Sequence, residues 1–200
     1  TIFFATLVFS IPLGMVIALL RMNQRRIISV PVSLYILVMR GTPLMLQIFA
    51  IYFAIPMLTG TNLNRMTATI LAFSLNYAAY FAEIFRGGIM AIPVGQHEAC
   101  QVLGFTKMQT FFHVVLPQVV KRVLLPVSNE VITLVKDTSL SRIIALQEII
   151  WAGQAFLKGT QGISGAIWPL FFTGIYYLIF SGLLTLALGK LEKKLDYFKA

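Results

Sequence analysis

The chain has 200 residues, 58% of them hydrophobic and only 12% charged, with a mean hydropathy of +0.84. A water-soluble domain averages about half apolar and roughly a quarter charged, so this composition argues against an ordinary globular enzyme. The net charge of +9 does not point to nucleic acid, because the basic residues sit in short clusters between long apolar runs, as they do in a membrane protein with basic cytoplasmic loops.

About 20 consecutive apolar residues cross a bilayer core as a helix. Thr1 to Leu20 meets that length without a charge and stops at the basic edge Arg21-Met-Asn-Gln-Arg25-Arg26. No basic stretch precedes it and no small-residue cleavage site follows, so it reads as a span and not as a signal peptide. Because the chain starts with Thr, some N-terminal residues are expected to precede this numbering. Ile27 to Leu58 would measure roughly 48 Å as one helix, too long for one crossing. Gly41-Thr42-Pro43 offers a break, since Pro removes a backbone donor and disfavours helix just before it. The expectation is an interfacial helix over Ile27 to Met39 and a span over 42–58. A polar turn, Thr59 to Asn64, leads to a third span over 66–85 and a cytoplasmic loop over 86–118. A fourth span covers 119–135. The mixed segment Lys136 to Gly165 is too polar for an ordinary span, a fifth span covers 166–188, and 191–200 forms a cytoplasmic tail.

The expected fold class is therefore an all-α integral membrane protein of five transmembrane helices, with one transmembrane domain over 1–190. Twelve basic residues (Arg21, Arg25, Arg26, Arg40, Arg86, Lys107, Lys121, Arg122, Lys190, Lys193, Lys194 and Lys199) then fall on one side. Arg65, Arg142 and Lys158 fall on the other, with Lys136 near the outer end of the fourth span. The positive-inside rule puts the N-terminus outside and the C-terminus inside.

The loop reads Gly95-Gln-His-Glu98-Ala99-Cys100-Gln-Val-Leu-Gly104, then nine residues, then Val114-Val-Leu116-Pro117. Glu98, Ala99 and Cys100 combine one acid with two small side chains, so a partner can approach the backbone closely. Gly104 permits a turn that a Cβ would resist, and Pro117 closes the loop geometry ahead of the next span. Helix, turn and apolar stretch make a knob suited to a groove on a soluble subunit; the bland alternative is an amphipathic loop helix capped by Gly.

This segment resembles the signature E-A-A, three residues, G, nine residues, I-x-L-P of permease subunits from binding-protein-dependent ABC importers. Cys100 stands for the second Ala and Val114 for Ile. Arg40-Gly-Thr-Pro43-Leu-Met-Leu-Gln47, Tyr80-Phe-Ala-Glu83-Ile-Phe-Arg86-Gly-Gly and Asn129-Glu130-Val-Ile-Thr133-Leu-Val-Lys136-Asp137-Thr138-Ser139-Leu140 look like segments of the polar amino-acid (histidine/glutamine/arginine) branch. The resemblance implies a type I importer fold in a bacterial cytoplasmic membrane. Its implied partners are two cytoplasmic ABC ATPase subunits, a second permease copy or a paralogue, an extracytoplasmic solute-binding protein and membrane lipid. Glu98, Ala99, Cys100, Gly104, Leu116 and Pro117 would carry ATPase coupling.

Polar groups inside a membrane are costly and should face the pathway or one another. Asn129, Glu130 and Thr133 in the fourth span, with Asp137, Thr138 and Ser139 at its end, are solute-pathway candidates. The two acids suit an ammonium or a basic side chain, and the hydroxyls suit a carboxylate's surroundings. Lys136 to Ser139 equally reads as a helix end with a cap, and Glu130 as an internally bonded or protonated acid. Asn76 and Tyr77 in the third span are weaker candidates, since contacts between spans explain them nearly as well. Glu83 and Arg86, three apart, read as a local ion pair. Arg40 either snorkels to the phospholipid boundary or bonds carbonyls where the chain breaks at Gly41, Thr42 and Pro43. Ser181, Thr185 and Gly189 read as a helix-packing ridge.

No metal site is expected: one cysteine excludes a multi-cysteine centre, and His97 and His113 lie 16 positions apart. Gly189-Lys190 lacks the rest of a phosphate-binding loop. The chain is therefore not expected to be an enzyme or to hold a cofactor; ATP and Mg belong on the partner ATPase. The alternative is a secondary amino-acid or ion transporter using Glu130 or Asp137. An intramembrane lipid hydrolase would need a catalytic constellation that His97 and His113 do not supply.

Overall fold

The computed structural model describes residues 1–147, 149, 150, 152 and 167–195. The expected start of the fifth span at Ala166, half of the mixed segment before it and the last five residues of the tail lie outside these. The described chain is helical: α1 (Ile2–Arg21), α2 (Arg26–Gly41), α3 (Leu44–Thr59), α4 (Arg65–Met90), α5 (Val94–Val102), α6 (Lys107–Ile144) and α7 (Ile167–Leu195). Among the described residues, four helices are long and apolar enough to cross a membrane, and α2 with α3 makes a fifth crossing if the bent pair counts as one span.

The centre is α4. Asn64 caps it, its side chain accepting from Thr67 N–H at 2.7 Å, which satisfies one of the four orphan donors of the first turn. Ala68, Ala72, Ala78, Ala79 and Ala82 keep its surface low, and Phe73, Tyr77, Phe81 and Phe85 fill the spaces between helices. Against this surface α1 lays a ridge of small residues four apart: Thr6, Ser10 and Gly14. A Cβ on Gly14 would lie 2.8 Å from Phe81 Cβ and 3.0 Å from the Ala78 carbonyl oxygen, so the helices cross at a distance only glycine permits. Gly88 does the same on the other flank, where a Cβ would run into Val123 of α6.

Prolines shape the irregular parts. The chain breaks at Thr42-Pro43, and α2 and α3 meet at 109°. Two π-helical stretches, Ala50–Ala54 and Thr110–Val115, end just before Pro56 and Pro117. Each proline lacks the N–H that would bond four residues back and crowds that carbonyl; a wider turn relieves both. Pro117 therefore does not begin a helix. The helix starts at Lys107 and runs through it, twelve residues ahead of the span expected from 119, and ends in a 3₁₀ stretch, Thr138–Ile144. Of the expected ridge Ser181, Thr185 and Gly189, Thr185 is exposed while Ser181 and Gly189 are half-buried, and Gly189 shares a cavity wall with Lys121 and Leu124 of α6.

Candidate functional site

Two regions collect the residues singled out by sequence. The first is a knob at one end of the molecule. Every residue of α5 is exposed except Cys100, including His97, Glu98 and Ala99. Val102 at 88% and Leu103 at 72% exposure, with Val94 and Met108, form an apolar surface with no cover among the described residues. Three devices hold it in shape. Cys100 is buried and roots the helix. Gly104, at φ +74°, ends it: Phe105 N–H reaches the Cys100 carbonyl at 2.9 Å and Gly104 N–H the Gln101 carbonyl at 3.0 Å. This 6→1 and 5→2 pair is the Schellman arrangement, which needs the left-handed residue. Gln118 Nε2 donates to Gln96 Oε1 at 3.2 Å, tying α5 to α6. Thr106 and Gln109 form a reciprocal cap that starts α6 immediately after the turn. Leu116 and Pro117 are half-buried on α6 behind the knob, so the signature divides into a presented part, Glu98 to Gly104, and a supporting part.

The second region is α6 with its neighbours. Asn129, Thr133 and Lys136 are exposed at spacings of four and three, one face of a helix that crosses the apolar layer. Thr133 Oγ1 donates to the Asn129 carbonyl at 2.9 Å, Thr138 Oγ1 to Val135 O at 2.7 Å and Ser139 Oγ to Lys136 O at 2.7 Å, so these hydroxyl protons are committed to the backbone while the oxygens still accept. Glu130 is half-buried and makes no hydrogen bond or ion pair among the described residues.

Asp137 has a partner that the spacing did not reveal. The buried Tyr77 donates its hydroxyl to Asp137 Oδ2 at 2.7 Å, clasping α4 to the end of α6. Asn76, one residue before it, points another way. Its Nδ2 donates to the Met39 carbonyl at 2.9 Å and to Gln47 Oε1 at 3.0 Å, while Gln47 Nε2 donates to Met39 O, Thr42 O and Thr42 Oγ1 at 2.9, 3.1 and 2.9 Å. Carbonyls freed by the break at Thr42-Pro43 are thus met by two buried amides from α3 and α4. Gln47 was not singled out by sequence; its signal is a lone amide within an apolar run four residues after a helix-breaking proline. Arg40 does not bond these carbonyls. Its guanidinium lies 5.2 Å from the Tyr80 ring centroid. Glu83 and Arg86 form the local pair, with Nη2–Oε2 at 2.7 Å and Nε donating to both carboxylate oxygens. No group of three metal-ligating side chains occurs among the described residues.

The sequence profile described as "Binding-protein-dependent transport system inner membrane component" matches residues 10–197. The chain is 35% identical over 193 residues to the L-cystine transport system permease protein TcyB of Bacillus subtilis, covering 96% of this chain and 81% of that one. It is 35% identical over 162 residues to the glutamine transport system permease protein GlnP of Escherichia coli K12, covering 80% and 73%. Among solved structures, a crystal structure of an amino acid ABC transporter with histidines superposes with a TM-score of 0.85 at 29% identity, covering 96% of this chain and 88% of that one. An inward-facing methionine ABC transporter superposes at 0.72 with 18% identity over 98% and 89%, a likeness of fold alone. The fold is that of a type I importer permease, and the chain belongs to the family of inner-membrane components of binding-protein-dependent transport systems.

Proposed function

We propose that this chain is the membrane-spanning permease subunit of an ATP-driven importer of a polar amino acid. The cystine and glutamine permeases it resembles support an amino-acid solute. Energy enters from a separate cytoplasmic ATPase, which binds ATP and Mg and docks on α5. The observation that carries this reading is the exposed knob: an acid, one small residue beside it and an apolar end uncovered among the described residues, rooted by the buried Cys100 and closed by a left-handed glycine. The apolar end would drive docking, and Glu98 would set its polarity.

The basic ends of the helices set the orientation, with the N-terminus outside and the knob inside. Solute passes between this chain and a second copy or a paralogue, along the face of α6 that presents Asn129 and Thr133. A polar stripe facing lipid would be costly, so a second membrane subunit must cover it. Glu130, whose carboxylate has no hydrogen-bond partner among the described residues, serves the ammonium group. Tyr77 and Asp137, joined to each other, and Asn76, committed to the α2–α3 break, hold the helices that frame the path. ATP-driven closure of the motor moves the paired knobs together, and α6, continuous from Lys107 past the membrane layer, carries that motion to the pathway. An extracytoplasmic binding protein delivers the solute.

Secondary transport through Glu130 or Asp137 is not favoured: the family is one of multi-component systems, and the Asp137 carboxylate already holds Tyr77. The test is Glu98→Arg in the assembled transporter. Reversing the charge should abolish solute-stimulated ATP hydrolysis while the chain stays folded in the membrane. Unchanged stimulation would overturn the reading.

A further inference from the structure

A cavity of about 350 Å³ opens between the end of α1, α2 and α4, lined by Arg21, Ser33, Ile36, Leu37, Arg40, Gly41 and Glu83. That volume falls at the small end of ligand pockets, roughly 300–1,000 Å³. Glu83 is its acid, and Arg86 already occupies both carboxylate oxygens. Arg21 and Arg40 make no hydrogen bond or close ion pair among the described residues; both feel the charge of Glu83, but Arg86 is bonded to that same carboxylate, so three guanidinium groups share one acid and the cavity keeps an excess of positive charge. Arg40 is nonetheless held in place, its guanidinium over Tyr80. A fixed guanidinium near the membrane boundary, with all its donors unmet, calls for an anionic oxygen acceptor.

The surroundings say what carries that acceptor. On α2, Ile27, Val30, Leu34, Leu37 and Val38 are exposed at helical spacing, an apolar stripe that runs along the helix to the cavity. An amphiphile with a negative headgroup and long apolar tails matches both parts; a soluble anion matches only the first. We propose that this cavity binds the phosphate headgroup of an anionic phospholipid of the inner leaflet, gripped by Arg21 and Arg40, with its acyl chains along α2. The inference rests on the basic helix ends being cytoplasmic and not on ATPase coupling, so it stands or falls separately from the Glu98 experiment.

The test uses the full chain purified in detergent, with phosphatidylglycerol or phosphatidylcholine added and retained lipid counted by native mass spectrometry. The wild type should retain phosphatidylglycerol preferentially. Arg40→Gln and Arg21→Gln should each weaken retention roughly five- to tenfold, whereas Arg25→Gln, outside the cavity, should not. Arg21 makes no bond within the described chain, so its variant keeps the test valid if Arg40→Gln disturbs the neighbouring helix break. Millimolar inorganic phosphate should leave the lipid bound. Retention unchanged in Arg21→Gln, an equal loss in Arg25→Gln, or displacement by inorganic phosphate would each overturn the proposal.

Discussion

Replacing Asn76 by Leu separates two roles that look alike in sequence. The substitution keeps the approximate shape and removes the amide that reaches Met39 O and Gln47 Oε1. Met39 O keeps one donor from Gln47 Nε2, so its loss is partial. Gln47 Oε1 loses the one partner seen for it among the described residues, in a side chain that is almost fully buried. Two net hydrogen bonds at about 0.5–1.5 kcal/mol each, with about 1–3 kcal/mol for an orphaned buried acceptor in place of the second, give a loss of about 2–4 kcal/mol. For a chain of this length that lowers the melting temperature by about 4–16 °C. The measurement is thermal unfolding of the detergent-solubilised chain beside solute affinity in the assembled transporter. Gln47→Leu should be at least as damaging, because Thr42 O also loses its donor, and the double variant should cost less than the sum. A solute ligand behaves in the opposite way. If Asn76→Leu melts within about 1 °C of the wild type while solute binding collapses, the clamp at the α2–α3 break is wrong and Asn76 belongs to the pathway.

Two further outcomes follow from single contacts. Gly104→Val places a β-branched residue at φ +74°, costing about 1–2 kcal/mol confined to the end of α5; it should weaken ATPase binding with little change in global melting, and intact binding would show that the Schellman turn does not shape the knob. Tyr77→Phe removes the hydroxyl from Asp137 and should destabilise the α4–α6 clasp by about 1–3 kcal/mol, read as a lower melting temperature, whereas Asp137→Asn, which still accepts from the tyrosine, should cost less.

The membrane class, the helices, the break at Gly41-Thr42-Pro43 and the knob signature were all legible in the chain, because each depends on neighbours in sequence. Apolar run length sets a span, proline sets a break, and a glycine at the end of a short helix sets a left-handed turn. Even here local cues had a limit: Pro117 looks like a boundary, yet a π-helical turn absorbs it and α6 continues through it.

The roles of the polar residues inside the bundle were decided elsewhere. Asn76 and Tyr77 are adjacent in sequence and look like one candidate pair, but successive helical side chains diverge by about 100°. One reaches residues 29 and 37 positions back, and the other 60 positions ahead. Gln47 acquires meaning only from the carbonyls it finds across the break. Periodicity specifies which face of a helix a residue occupies; only packing specifies what lies opposite that face. In a bilayer the backbone carbonyls freed at a helix break must find donors in protein, so the tertiary contact, and not the residue type, separates a structural clamp from an open path.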